Sequence, residues 1–210
     1  MTIRVAVVDD QSLVRGAFTA LITAQPDMTS AGEAADGSAG AALAADADVV
    51  LMDIRMPRMD GIAATRTIKN RTSAKVLILT TFRDEDLVLR AIEAGTDGFL
   101  LKDADPRTLL SAIRALVGGE GFLDPAVTPL VLRAVNRHPT ANPTVPATDF
   151  TPRETEILDL VRVGKSNRDI ARSLFIAETT VKTHVANMLV KTGCRNRVEL
   201  AVYAGTPPEE

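Results

Sequence analysis

The chain has 210 residues, 46% of them apolar, with six Phe, one Tyr, no Trp and a formal net charge of −3. Such a chain makes one large soluble domain or two small ones with a sizeable core. Its single cysteine, Cys194, excludes an intramolecular disulfide and a Cys-based zinc site. No apolar run approaches the roughly 18 residues of a membrane span, and the N-terminus lacks a signal-peptide layout, so a cytoplasmic protein with no membrane partner is expected.

In chain order, apolar runs at Ile3 to Val8, near Thr29 to Ala34, at Asp48 to Met52, at Lys75 to Thr80 and at Gly98 to Leu101 alternate with segments of helical period. Leu13, Phe18, Leu21 and Ile22 mark one such segment, and Leu87, Val88, Ala91 and Ile92 another. Asp105-Pro106 reads as an N-cap followed by proline at the first helical position, opening a helix through Leu109, Ile113 and Leu116 to Gly118-Gly119. Five strands with helices between them predict an α/β, doubly wound, five-stranded parallel sheet over residues 1–120.

The third run, Val49-Val50-Leu51-Met52, leads straight into Asp53 and then into Met56-Pro57-Arg58-Met59-Asp60-Gly61. Ligands of open parallel sheets bind outside the carboxyl ends of the strands, so an acid there is placed for chemistry rather than packing. The first strand ends in Asp9-Asp10, and neighbouring strands would bring these acids close to Asp53. Three carboxylates repel one another unless a hard cation bridges them, and Mg²⁺ accepts such oxygens while keeping water for a phosphate. Thr80 closes the fourth strand and Lys102 follows the fifth, a hydroxyl and an ammonium suited to the oxygens of a phosphoryl group on Asp53.

Residues 1 to about 120 resemble the receiver domain of a two-component response regulator. The resemblance implies that Asp53 is the phospho-acceptor, that Asp9 and Asp10 hold Mg²⁺ with Asp10 the more direct ligand, and that the backbone carbonyl of Arg55 is a further ligand. It implies that Thr80 is the switch hydroxyl, Lys102 the phosphate partner and Phe99 the aromatic whose rotamer follows Thr80. Asp103 stands where many receivers have proline. Phosphatases with an aspartyl-phosphate intermediate want a second acid two residues after the nucleophile, where this chain has Arg55. No enzyme with separate substrate turnover is therefore expected, only phosphoryl acceptance and self-catalysed loss.

Residues 121–149 read as a linker. Asp124-Pro125 can open one more helix through Leu130, Val131, Leu132 and Val135, and the stretch from His138 to Thr148 has three prolines and no Lys, Arg, Asp or Glu, which suits an extended connector. From residue 150 to 205 the chain is helical in short pieces. Thr151-Pro152-Arg153-Glu154 is a capping box ahead of Ile157, Leu158 and Val161, and Ser166 caps a helix with Ile170, Ala171 and Leu174. A third helix begins near Glu178 with Val181, Val185 and Met188 inward, and Arg195 to Tyr203 forms a fourth. Residues 150–203 hold nine Lys or Arg against six Asp or Glu, a net +3 that leaves −6 for the rest. On the third helix Lys182, Thr183, Ala186 and Asn187 face away from the apolar stripe, a face fit for the major groove.

The strings Thr151-Pro152-Arg153-Glu154, Gly164-Lys165-Ser166-Asn167, Asp169-Ile170-Ala171 and Thr179-Thr180-Val181-Lys182-Thr183-His184-Val185 resemble the LuxR-type four-helix DNA-binding domain of NarL-like response regulators. By that resemblance Lys182 and Thr183 face bases, while Lys165, Asn167, Arg168, Thr179 and Lys191 contact phosphates. Ala177 stands where the family commonly has a serine cap, and Ala186 where some relatives present a lysine. The whole implies a cytoplasmic transcription factor, phosphorylated on Asp53 by a sensor histidine kinase, that forms a homodimer and binds promoter DNA. A constitutive DNA-binding protein whose receiver is never phosphorylated is the rival reading.

Overall fold

The computed structural model describes residues 2–81, 85–131 and 150–205. Strands β1 (Ile3–Val8), β2 (Met28–Ala34), β3 (Val49–Asp53), β4 (Lys75–Thr80), β5 (Gly98–Leu101) and β6 (Phe122–Leu123) form one sheet in the order β2-β1-β3-β4-β5-β6, with every neighbouring pair parallel. Helices α1 (Ser12–Thr23), α2 (Gly37–Leu43), α3 (Gly61–Arg71), α4 (Glu85–Glu93) and α5 (Pro106–Val117) connect the first five strands and follow the fifth.

The central strands are apolar at consecutive positions because both faces of the sheet are covered. Ala6, Val8, Val50, Met52, Val76 and Ile78 pack on the side of α2, α3 and α4. Val5, Val7, Val49, Leu51, Leu77 and Leu79 pack on the side of α1 and α5. β2 lies on one flank of β1 and β3 on the other, so the crevice of this sheet opens between the C-terminal ends of β1 and β3.

All five expected strands form, and β6 adds a sixth within the stretch read as linker. Two residues are too few to show any alternation in sequence. The main chain continues that pairing as Asp124 N–H donates to the Phe99 carbonyl at 3.0 Å. Asp124 then caps the expected next helix, accepting from Ala126 N–H at 2.8 Å, with helical residues at 128–131. The remainder of that helix, Leu132 and Val135 included, and the stretch from His138 to Thr148 lie outside the described residues.

The second domain comprises α6 (Pro152–Arg162), α7 (Asn167–Leu174), α8 (Glu178–Thr192) and α9 (Arg197–Gly205). The capping box forms in both directions, Thr151 N–H to Glu154 Oε2 at 2.8 Å and Glu154 N–H to Thr151 Oγ1 at 3.2 Å. Ile157, Ile170, Val181, Met188 and Leu200 are fully buried in its core. That core runs on without a break into Leu123, Val127 and Val131 of the connecting stretch after α5. Between α6 and α7, Gly164 takes a left-handed φ of +78°, and a Cβ there would come within 2.6 Å of Thr128 Oγ1. The connecting stretch and the second domain are therefore in close contact at this turn.

Gly61 returns the chain to α3, donating its N–H to the Ile54 carbonyl at 2.9 Å. A Cβ on Gly61 would lie 1.9 Å from the Asp53 carbonyl oxygen, a backbone atom that cannot turn aside. Gly61→Ala is expected to cost roughly 3 kcal/mol or more in urea unfolding, at the upper end of overpacking penalties; a loss under about 1 kcal/mol would show that the loop rearranges freely.

Candidate functional site

The C-terminal ends of β1, β3, β4 and β5 gather the acidic and basic side chains at one rim. Asp53 closes β3 and is 6% exposed, Asp9 follows β1 at 1%, and Asp10 is open to solvent. One carboxylate oxygen from each of the three lies within 4.8 Å of the others. Lys102, just past β5, reaches across them with Nζ 2.7 Å from Asp9 Oδ2 and 3.0 Å from Asp53 Oδ2. Two buried carboxylates at this separation need such a counter-charge.

Burial pushes the Asp53 carboxyl above its usual range and the Asp9 charge adds to that, against the opposing pull of Lys102 and the Ile54 amide. For Lys102, burial works against the charge, but its contacts with Asp9 and Asp53 outweigh it and hold the ammonium above its ordinary value. Asp9 Oδ1 accepts from Gln11 N–H at 2.9 Å, and the Asp9 carbonyl accepts from Arg15 Nη1 at 2.7 Å. Asp9 Oδ2 is buried and faces the Lys102 ammonium at 2.7 Å. Three carboxylates that each bring an oxygen within 4.8 Å of the others, with a single ammonium among them, are a hard oxygen donor set that fits a divalent cation such as Mg²⁺.

Thr80 ends β4 almost fully buried, and its carbonyl accepts from Lys102 N–H at 3.0 Å. Phe99 is fully buried in the cluster that includes Val88, Ala91 and Ile92 of α4. Arg55 is exposed in the loop after β3. The fold thus brings Asp9, Asp10, Asp53 and Lys102 together, with Thr80 at the adjoining strand end.

On α8, Val181, Val185 and Met188 are buried, and Lys182, Thr183, Ala186 and Asn187 are exposed. Ala177 at the N-cap supplies no side-chain bond. Lys165, Arg168, Thr179 and Lys191 are also exposed, with Lys191 Nζ 2.6 Å from Glu154. The side-chain phosphate contact expected of Asn167 needs correction. Asn167 is 1% exposed and its Oδ1 accepts from Arg197 Nη1 at 2.6 Å. Arg197 is buried, which pushes its pKa down to about 10, and it needs these acceptors: Asn167 Oδ1 and the Lys165 carbonyl.

Lys182 Nζ lies 2.8 Å from Glu120 of the first domain and 3.5 Å from Glu178 one turn back. A second polar contact joins the two domains, Asn196 Nδ2 donating to the Thr96 carbonyl at 3.1 Å. Sequence reading missed Glu120, Asn196 and Arg197, whose partners lie far along the chain and share no period or motif with them.

A parallel α/β sheet with an acid triad and a lysine at its switch point, followed by a helix-turn-helix domain, defines a two-domain signalling regulator. Residues 5–114 match the model of the response regulator receiver domain, and residues 148–204 match that of the bacterial regulatory proteins of the luxR family. The chain belongs to the response regulators with a LuxR-type DNA-binding domain, and acts in transcription regulation within a two-component system. It is 43% identical to the transcriptional regulatory protein LiaR of Bacillus subtilis, over 96% of each chain. It is 38% identical to the nitrate/nitrite response regulator protein NarL of Escherichia coli K12, over 95% of this chain and 93% of that one. The crystal structure of the response regulator ChrA, from a heme-sensing two-component system, superposes with a TM-score of 0.55 at 38% identity, covering 97% of this chain and 96% of that chain. Receiver domains generally bind Mg²⁺ at an acidic pocket, and the family is phosphorylated by histidine kinases and binds DNA. No described helix is long and apolar enough to cross a membrane.

The raised Asp53 pKa has a direct consequence. Because the folded value lies above the unfolded one, ionising Asp53 costs the fold stability once pH exceeds the folded pKa, and the cost vanishes below the ordinary value of 3.8. Asp53→Asn, which mimics the neutral acid, is expected to melt higher than wild type at pH 7, with the gap closing toward pH 4. A gap constant with pH in paired thermal melts would contradict this.

Proposed function

We propose that Asp53 accepts a phosphoryl group from a sensor histidine kinase in the cytoplasm, and that this drives a homodimer onto promoter DNA through α8. The observation that carries the reading is the Lys102 ammonium bridging Asp9 and Asp53 in a buried rim. An Asp53 oxygen forms the new P–O bond as the donor's P–N bond breaks, its electron pair staying on nitrogen, and the histidine, protonated on its other ring nitrogen, leaves as a neutral imidazole. Lys102 and the Thr80 hydroxyl are suited to hold the transferred oxygens. Asp9, Asp10, Asp53 and the Arg55 carbonyl would hold Mg²⁺, which when bound supplies positive charge to offset the acids and the incoming phosphoryl group. Self-catalysed loss of the phosphoryl group belongs to the same site.

Lys182 and Thr183 are the base-facing pair of this reading, with Ala186 and Asn187 beside them on the same face. Lys165, Arg168, Thr179 and Lys191 are its backbone contacts. The Glu120 ion pair supports a resting form in which Lys182 is held by the receiver rather than by DNA. Domain limits of 1–120 and 150–205 go with this division, β6 then belonging to the connecting stretch while completing the receiver's sheet.

Sedimentation and affinity for a site selected from random-sequence DNA, with and without beryllofluoride and Mg²⁺ at fixed salt, test the switch. A dimer with tighter binding is expected, absent in Asp53→Asn. Unchanged mass and affinity would favour the constitutive rival. Glu120→Gln is expected to tighten DNA binding by the unphosphorylated protein several-fold and to shrink the gain from beryllofluoride. Equal affinity of the two unphosphorylated proteins would remove Glu120 from the switch.

A further inference from the structure

The loop that follows Asp53 is gripped from the side by the start of α2. Within it Arg58 has a left-handed backbone, φ +65°, a conformation that non-glycine residues seldom take. Its guanidinium Nε donates to Asp36 Oδ2 at 3.2 Å and its Nη2 contacts the same oxygen. Asp36 is 7% exposed, and its Oδ1 is committed to capping α2, accepting from Ser38 N–H at 2.9 Å and Ala39 N–H at 3.1 Å. Its Oδ2 is what remains for Arg58. Alongside, Gly37 N–H donates to the Met59 carbonyl at 3.1 Å, an approach so close that a Cβ on Gly37 would lie 2.7 Å from that oxygen. The bond from Gly61 N–H to the Ile54 carbonyl closes the loop at its ends.

We infer that Arg58 is a positioning residue for the acceptor site, acting through its pair with Asp36 to fix the main chain between Asp53 and α3. The inference rests on the reading of Asp53 as a Mg²⁺-assisted phospho-acceptor. Among the described residues the Arg58 side chain pairs with Asp36 and not with Asp9, Asp10 or Asp53. Released from Asp36, a left-handed arginine relaxes toward the right-handed region, and the peptide planes on either side turn with it. Arg55, expected to offer its carbonyl to the cation, stands three residues upstream in the same loop. The Arg58 side chain is 69% exposed, so the pair adds little to global stability. Its effect belongs in cation affinity.

Calorimetric titration of Mg²⁺ alone into the full-length protein separates these roles. The set is wild type, Arg58→Ala, Arg58→Lys, Asp36→Asn, the Arg58→Ala/Asp36→Asn double variant, and Asp53→Asn. Arg58→Ala is expected to weaken Mg²⁺ binding roughly tenfold, as loss of an outer supporting contact does, with the melting temperature nearly unchanged. Arg58→Lys is expected to recover part of the loss. The double variant is expected to be no weaker than Arg58→Ala, since both changes break one pair. Wild-type affinity in Arg58→Ala, or additive losses in the double variant, would overturn the inference and leave the acceptor reading standing. Equal Mg²⁺ binding by wild type and Asp53→Asn, or none by wild type, would overturn both.

Discussion

Burying two carboxylates side by side is tolerable only when a cation lies between them, and in this chain the Lys102 ammonium fills that role for Asp9 and Asp53. Much of the architecture serves to bring those three groups to one point. β1 and β3 must be neighbours, which requires β2 to leave on the other flank of β1, and β5 must end level with β4 so that Lys102 can reach back over Thr80. A glycine is needed at position 61 because the chain turns into α3 against the Asp53 carbonyl itself.

The strand that delivers Lys102 is tied to the other domain through β6. β5 pairs with β6, and Asp124 beyond it accepts from Leu101 N–H at 3.3 Å, one residue before the lysine. Glu120, two residues before β6, holds Lys182 on α8. The acidic rim and the domain contact are thus opposite boundaries of one short strand pair. Lys102 and the Glu120 to Lys182 pair flank the same β5–β6 pairing.

The rim was legible in the sequence because each of its members ends or follows an apolar run, and a parallel strand buried on both faces announces itself as such a run. Asp53, Asp9 and Lys102 therefore stood out as polar residues in register with strand ends. α8 was legible from three buried residues at helical spacing, which left Lys182 and Thr183 outward. The failures share a cause. Asn167 follows a Ser cap at the first turn of a short helix, a position that reads as solvent-facing, and it is buried only because Arg197 arrives from thirty residues further on. Glu120 looks like a solvated loop residue until Lys182 is folded against it. β6 gains its identity from β5 rather than from its own two residues. Such long-range pairings carry no local period.

The magnitudes at the two ends of the molecule differ in a way that suits a switch. The Glu120 to Lys182 pair is half-exposed on the lysine side, and such pairs contribute about 0–1 kcal/mol. The Asn196 to Thr96 hydrogen bond adds about 1 kcal/mol net. Reversing a two-state population from 1:99 to 99:1 takes about 5.5 kcal/mol of differential interaction. The polar contacts between the domains fall well short of that, so a modest change can break the Glu120 to Lys182 pair, while the apolar core shared through Leu123, Val127 and Val131 carries the rest of the contact. At the rim the charges are buried, where breaking a pair typically costs about 3–5 kcal/mol. In the proposed switch a phosphoryl group on Asp53 would compete for Lys102 at the rim, where buried charges interact strongly, and the pair it would release at Glu120 is a weak one. Under that proposal one covalent event at Asp53 acts on a face of α8 that it never touches.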